Sequence, residues 1–336
     1  MRKRPSATDV FRSLYILVLV VGPLHRRLDV LVAGEVYIDL IMSGFDFWPR
    51  PGQEAFAKSF RRDMGGGGAI AAWGLASLCT RTGLAAVVGA DHHEWICTRM
   101  HDRGLDTSLV QTDPVEPTGF TVAATTPEDR AFLTYAGANS RFAAALAEAA
   151  AAHGLAHARH VHIAFAPDWD TAAELFAAIR RNGCTISLDP GWHESWLSDH
   201  RALDALANID IFFPNHAEAK VMTGLEDPEE MLRYFRDAGL PCVALKLGAR
   251  GAALLCDGRP LFAEPLPVSP VDTTGAGDCF DAGFLHSWLI GDNPMTWLAT
   301  GNICGALSTE EFGGIAGFPS PERVKRELDR LCGKRP

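Results

Sequence analysis

Short apolar runs alternate with helical patterns along most of this chain, and that alternation restricts the fold more than any other feature. Asp29–Ala33, Leu84–Val88, His160–Phe165, Thr185–Leu188, Ile209–Phe213, Val243–Leu247 and Ala252–Cys256 are brief and apolar on both faces. Strands buried between two helix layers must read this way. Between them, periodicity predicts helices over Ala69–Leu78, Glu94–Asp102, Ala143–Ala152, Thr171–Arg181, Glu229–Ala238 and Pro321–Leu331. Several stop at a glycine suited to a C-cap, such as Gly104, Gly183 and Gly239. Such a series specifies an α/β fold with a doubly wound, mostly parallel sheet flanked by helices. Two stretches break the rhythm. Segments 36–62 and 118–135 read as β-hairpins, the second turning at Pro127-Glu128-Asp129. A small β-sheet lid over the core accounts for both.

The 336 residues carry a formal net charge of −10 and no basic stripe. Nucleic acid and an anionic membrane surface both need clustered Lys and Arg, so neither is an expected partner. Cys79, Cys97, Cys184, Cys242, Cys256, Cys279, Cys304 and Cys332 are scattered singly, with no C-x-x-C pair. Most sit in apolar runs, which suits buried, reduced thiols and a cytoplasmic protein. Residues 1–27 are basic and then apolar, superficially like a signal peptide. The apolar run Leu14–Val21 is too short to span a bilayer and no small-residue cleavage site follows it. The expectation is an N-terminal extension outside a folded unit that starts near Leu28.

The strongest chemical signal is Val271-Asp272-Thr273-Thr274-Gly275-Ala276-Gly277-Asp278-Cys279-Phe280. Phe280, Phe284, Leu285, Trp288 and Leu289 then mark one face of a helix, so the helix begins close to Gly275–Asp278. Small residues in its first turn leave N–H groups open, and with the positive end of the macrodipole they form an anion site. Asp278 places a carboxylate in the same turn. Donors for developing charge beside a base suit phosphoryl transfer. A bare G-x-G-D would be no more than a capped turn, but the ten-residue run is far more specific. No G-x-x-x-x-G-K-[S/T] occurs, which excludes a P-loop enzyme.

Asp272–Asp278 resembles the C-terminal signature of the ribokinase-like (phosphofructokinase B-type) carbohydrate kinases. The resemblance runs from about Leu28 to Leu331. Met64-Gly65-Gly66-Gly67-Gly68-Ala69-Ile70-Ala71-Ala72 matches the family's N-terminal glycine signature. Val88-Gly89-Ala90-Asp91, Gly104-Leu105-Asp106-Thr107-Ser108, Pro214-Asn215-His216-Ala217-Glu218 and Lys246-Leu247-Gly248-Ala249-Arg250-Gly251 follow in the family's order.

The resemblance implies a kinase domain over residues 28–333 that moves the γ-phosphoryl group of ATP to a hydroxyl of a sugar or sugar acid. Asp278 would be the base, and Gly275, Ala276 and Gly277 the anion hole. Asn215 and Glu218 would organise Mg²⁺ through water, a role compatible with a helix cap. Lys246 and Gly248 would lie beside the nucleotide, with Asn302 near the adenine; the alternative for Lys246 is a strand-end lysine facing solvent. Asp39, Gly65, Gly66, Gly67 and Asn139 would bind the sugar, and the alternative for Asp39 is an exposed hairpin residue. A monovalent cation (K⁺) beside Asp272 and Thr274 is also implied, as is a homodimer through the lid.

Ile70 stands where the family usually carries an Asn, and Ala164-Phe165-Ala166-Pro167 stands where ribokinases tend to have an acidic sugar contact. Both departures favour a general carbohydrate kinase over ribokinase proper. A nucleoside kinase, using Phe45, Phe47 or Trp48 for ring stacking, and a catalytically idle sugar sensor are the alternatives. His160 and His162, two apart on one strand, read as neutral histidines rather than a metal pair. His92-His93 and His153/His157 read the same way.

Overall fold

The computed structural model describes residues 28–125, 130–152, 155 and 157–333. The extension 1–27, the turn at 127–129 and His153 lie outside the described residues. The chain opens with β1 (Leu28–Gly34), then crosses into the lid through β2 (Tyr37–Ser43) and β3 (Ser59–Gly65). It returns with α1 (Gly67–Ser77), β4 (Thr82–Gly89), α2 (His93–Asp102) and β5 (Asp106–Asp113). The lid is completed by β6 (Phe120–Thr125) and β7 (Arg130–Tyr135), after which α3 (Phe142–Ala151), β8 (Ala158–Ala164), α4 (Trp169–Arg181) and β9 (Thr185–Asp189) follow. Next come α5 (Glu194–Leu197), α6 (Arg201–Leu206), β10 (Ile211–Phe212), α7 (His216–Thr223) and α8 (Pro228–Asp237). The last part holds β11 (Cys242–Lys246), β12 (Ala252–Cys256), β13 (Arg259–Ala263), α9 (Ala276–Leu289), α10 (Pro294–Ser308) and α11 (Pro321–Gly333).

The main sheet has the order β13-β12-β11-β10-β9-β8-β1-β4-β5. Every pair is parallel except β11–β12 and β12–β13, which are antiparallel hairpins at one edge. Alternate residues of β1 serve two cores. Val30 and Val32 pack with α1, α2, α9 and α10, while Leu31 and Ala33 pack with α3, α4, α7 and α8. Both faces are covered, which is why these strands carry no polar side. The helices that cover them obey the usual end rules. In α4, Asp168 caps the start by accepting from Asp170 N, and Leu175, Phe176 and Ile179 bury one stripe.

Sequence and structure differ in places. β10 spans two residues where Ile209–Phe213 was expected, although Phe213 N still donates to Leu188 O. Strand β5 was not foreseen, because its residues alternate between half-buried and exposed at the sheet edge rather than forming an apolar run. The lid is a four-stranded sheet, β3-β2-β6-β7, in which β2 and β6 join the two hairpins in parallel. Ala55–Ala57, expected in a strand, precede β3 and pair with nothing regular.

His160 and His162 are fully buried, as the neutral reading requires. His160 Nδ1 lies 2.8 Å from Thr185 Oγ1, and both rings reach the hydroxyl of Ser187, at 2.7 and 2.8 Å. Burial lowers both imidazoles, His162 to about 4, so neither carries charge near neutrality.

Candidate active site

Two glycine junctions bring the distant parts of the site together. Gly34 ends β1 and Gly68 lies in the first turn of α1, and a β-carbon on Gly68 would lie 2.7 Å from Gly34 Cα. Only bare backbones pack this closely. The run Gly65-Gly66-Gly67 is thereby laid along the carboxyl end of the sheet. A β-carbon on Gly65 would fall inside the Asp39 carboxylate, and one on Gly67 would lie 2.9 Å from Asp278 Oδ1. Asp39 from the lid and Asp278 from α9 therefore flank one glycine strip.

Asp39 is buried rather than exposed on its hairpin, and its carboxylate accepts no hydrogen bond from the described residues. Burial, then the charges of Asp63 and Asp272, push it up to about 7. Replacing Gly65 with Ala is expected to displace this carboxylate.

Helix α9 starts as expected. Gly275 takes the left-handed conformation (φ 73°) at the N-cap and no side chain caps the helix. Ala276 and Gly277 line a cleft of about 500 Å³ together with Lys246, Gly248, Thr273 and Asn302. Ala276 N donates to Thr273 O at 3.3 Å, contrary to expectation, so the amide of Gly277 is the one left to face a cavity large enough for a nucleotide. Asp278 is half-buried in the first turn. Burial and the neighbouring Asp189 raise its carboxyl to about 7, against the pull of Lys246.

Lys246 does not face solvent. Its Nζ donates to Asp189 Oδ2 at 2.7 Å and to both oxygens of Asp281 at 3.3 and 3.4 Å. It also lies 3.4 Å from where a β-carbon on Gly277 would be, at the first turn of α9. Burial opposes its charge, but Asp189, Asp281 and Glu218 outweigh burial and hold the ammonium firmly protonated. Asp189 is held well below the usual carboxylate range by Lys246 despite its burial, whereas burial pushes Asp281 well up. Asp189 and Asp281 escaped the sequence reading as site residues. Asp281 had one signal: a charge three residues after Asp278 on the same helical side, in an otherwise apolar helix.

Asn215 and Glu218 form a reciprocal capping box on α7. Asn215 Oδ1 accepts from Glu218 N at 2.9 Å, and Glu218 Oε2 accepts from Asn215 N at 2.7 Å. Glu218 is buried beside Asp189, and burial with that charge raises it to about 7. Among the described residues no group of three or more His, Cys, Asp or Glu cages a metal. A buried surplus of carboxylates without such a cage fits Mg²⁺ held through water and phosphate rather than by protein ligands alone.

Three expectations change in detail. Asn139 is buried with its amide spent on Val36, accepting from Val36 N at 3.1 Å and donating to Val36 O at 2.9 Å. It braces the entry to β2 instead of offering a free amide to a sugar. The side chain of Asn302 donates to Ala263 O and Glu264 O, so it lines the cleft while tying α10 to the 264–270 wall. Asp272 accepts from Thr274 N, Thr274 Oγ1 and Gly313 N, closing its own turn. That turn explains both residues without a cation, and none is assigned there. Glu35 and Tyr37, which hydrogen bond to each other at the lid root, were not foreseen.

A family model for pfkB family carbohydrate kinases matches residues 27–321. The chain is 29% identical over 280 residues to the 2-dehydro-3-deoxygluconokinase of Bacillus subtilis, covering 79% of this chain and 86% of that one. It is 32% identical over 285 residues to the ATP-dependent ribose-1-phosphate kinase of Halopiger xanaduensis, covering 84% and 93%. The solved structure of Arabidopsis thaliana ribokinase complexed with ribose and ATP shares the fold, with a TM-score of 0.76 at 24% identity, over 89% of this chain and 98% of that one. The family match over most of its length shows that the chain belongs to the pfkB family of carbohydrate kinases, phosphotransferases with an alcohol group as acceptor.

Proposed function

We propose that the protein transfers the γ-phosphoryl group of ATP to a hydroxyl of a sugar or sugar acid bound between Asp39 and Asp278. The observation that carries this reading is the shared glycine strip: the carboxylates of Asp39 and Asp278 both lie against it, while the first turn of α9 lines a nucleotide-sized cleft. Asp39 accepts hydrogen bonds from acceptor hydroxyls, which discriminates against analogues lacking them. Asp278 takes the proton of the attacking hydroxyl, and a carboxyl raised to about 7 is a better base than an ordinary aspartate. The amide of Gly277, with Lys246 beside it, holds the charge that develops on the transferred group, joined by that of Ala276 once it leaves Thr273 O. Mg²⁺, when bound with ATP, supplies neutralisation of the phosphate charge; Asn215 and Glu218 would hold its water shell. The lid excludes bulk water, which would otherwise compete as acceptor.

A screen of ADP release over pentoses, hexoses, keto-sugar acids and nucleosides tests the reading. Mg²⁺-dependent release with a sugar or sugar acid supports it. Release with nucleosides alone would favour the nucleoside kinase alternative, and binding without release the idle sensor.

The lid is also the proposed dimer surface. Phe60, Phe120, Leu133 and Tyr135 are exposed, and the register puts them on the side of the sheet opposite Asp39. Leu133→Asp is expected to shift the protein from dimer to monomer in sedimentation. A wild-type monomer, or an unchanged dimer, would contradict this. No described helix is long and apolar enough to cross a membrane. The described cysteines are free thiols, which fits the proposed cytoplasmic location.

A further inference from the structure

Cys242 opens β11 and Cys256 closes β12, and the antiparallel register sets them directly opposite one another. Leu247 N donates to Gly251 O, and these two are also direct partners on the same ladder. Hydrogen-bonded and non-hydrogen-bonded pairs alternate along such a ladder. Counting back from Leu247, Cys242 and Cys256 form a non-hydrogen-bonded pair, the kind whose Cα atoms stand about 4.5 Å apart with side chains closest. A disulfide spans Cα separations of about 4.4–6.8 Å, so this pair, at the short end of that range, can close with only a local change of twist.

We propose that Cys242 and Cys256 form a reversible cross-strand disulfide that weakens nucleotide binding. The two thiols stand opposite one another and influence each other's ionisation. Both are partly accessible, unlike the buried Cys184, Cys279 and Cys304. Cys256 is the attacking thiol. It precedes the two-residue turn Asp257-Gly258, whose positive φ angles (49° and 72°) mark a tight surface hairpin. The interaction with Cys242 draws its pKa down against partial burial, and the same interaction, then burial, pushes Cys242 up. An accessible, more acidic thiol beside a second cysteine is the arrangement of a redox-sensitive pair.

With hydrogen peroxide, the Cys256 thiolate attacks one oxygen and the O–O bond breaks. Hydroxide leaves and is protonated to water, giving a sulfenic acid. The Cys242 sulfur then attacks that sulfur, the S–O bond breaks and a second water leaves with the thiol proton. Two thiols are oxidised to one disulfide and one peroxide is reduced to two waters. A dithiol such as dithiothreitol reverses it by exchange.

The link acts on the cleft through the strands it joins. β11 carries Lys246 on the same side as Cys242, and the hairpin tip carries Gly248. β12 continues through β13 into Pro265, Leu266 and Val268 of the cleft wall. The pair separation is at the short end of the disulfide range, so closure changes the local twist between β11 and β12. The dissociation constant for ATP is expected to rise about fivefold or more, the low end of coupling between two sites. This effect rests on the cleft binding ATP, whereas the link does not.

The test treats the full chain with hydrogen peroxide, maps the peptides by mass and measures ATP binding by calorimetry. The expected result is a peptide pair joined through Cys242 and Cys256, with weaker ATP binding, both reversed by dithiothreitol. Both changes should vanish in Cys256→Ser and in Cys242→Ser, whose untreated forms should bind ATP like wild type. Oxidation of Cys256 to sulfinic acid with no link to Cys242 would overturn the proposal. So would a link that leaves ATP affinity unmoved, or a loss of affinity that persists in the serine variants. Reduced protein that binds no ATP would refute the reading of the cleft, and the peptide map would still decide the bridge.

Discussion

Asp278→Asn is expected to lower kcat by about a hundred- to ten-thousandfold, the contribution of a positioned general base, while leaving ATP binding and the fold intact. Asparagine keeps the shape of the side chain against Gly67 but cannot take the acceptor's proton. Stability should not fall with activity. Asp278 is half-buried near Asp189, and both its desolvation and that neighbour disfavour its charge. Its folded pKa of about 7 exceeds the usual carboxylate value of about 4. A group raised in the native state favours folding below its unfolded pKa, and that contribution is lost as pH rises through the folded one. The wild type should therefore lose stability relative to the asparagine variant between about pH 4 and pH 7. Melting temperatures of both proteins at pH 5 and pH 8 check the sign: the variant's advantage should be larger at pH 8. Full turnover in the variant would remove Asp278 from the chemistry, and a pH-independent difference would remove the burial argument.

Lys246→Met is expected to cost both stability and activity. The ammonium is the partner that the structure gives to Asp189 and Asp281, two buried carboxylates. Breaking a buried pair from one side costs about 3–5 kcal/mol, because a charge is left without compensation. Protonation of Asp281 softens this and loss of the methylene packing adds to it, so the low end of that range is the expected value. The KM for ATP should rise as well, since the same ammonium lies at the first turn of α9. Adding Asp281→Asn should restore part of the stability and none of the activity. Denaturant unfolding of the single and double variants measures the coupling. A single variant as stable as wild type would show that the triad carries no such energy.

Much of this was legible in the residues. The strands of the main sheet announced themselves because both faces are buried, and α9 did so because a glycine turn and an apolar stripe fix where a helix begins. The capping box at Asn215 and Glu218 followed, since it depends on neighbours in the chain. What stayed hidden depends on distant partners. Lys246 and Asp189 meet across 57 residues, and Lys246 and Asp281 across 35. Asn139 is claimed by Val36 across 103 residues, and no local pattern could show that its amide was spent. Strand β5 was missed for another reason: at a sheet edge only one side is buried, so the apolar signal is halved.

The most direct test of the central claim is ³¹P nuclear magnetic resonance of ATP, Mg²⁺ and an acceptor sugar incubated with the enzyme. Phosphoryl transfer between the glycine strip and the α9 entrance predicts a new sugar phosphomonoester signal that grows in step with ADP. ADP appearing only with inorganic phosphate, or no consumption of ATP with any sugar or sugar acid, would contradict it.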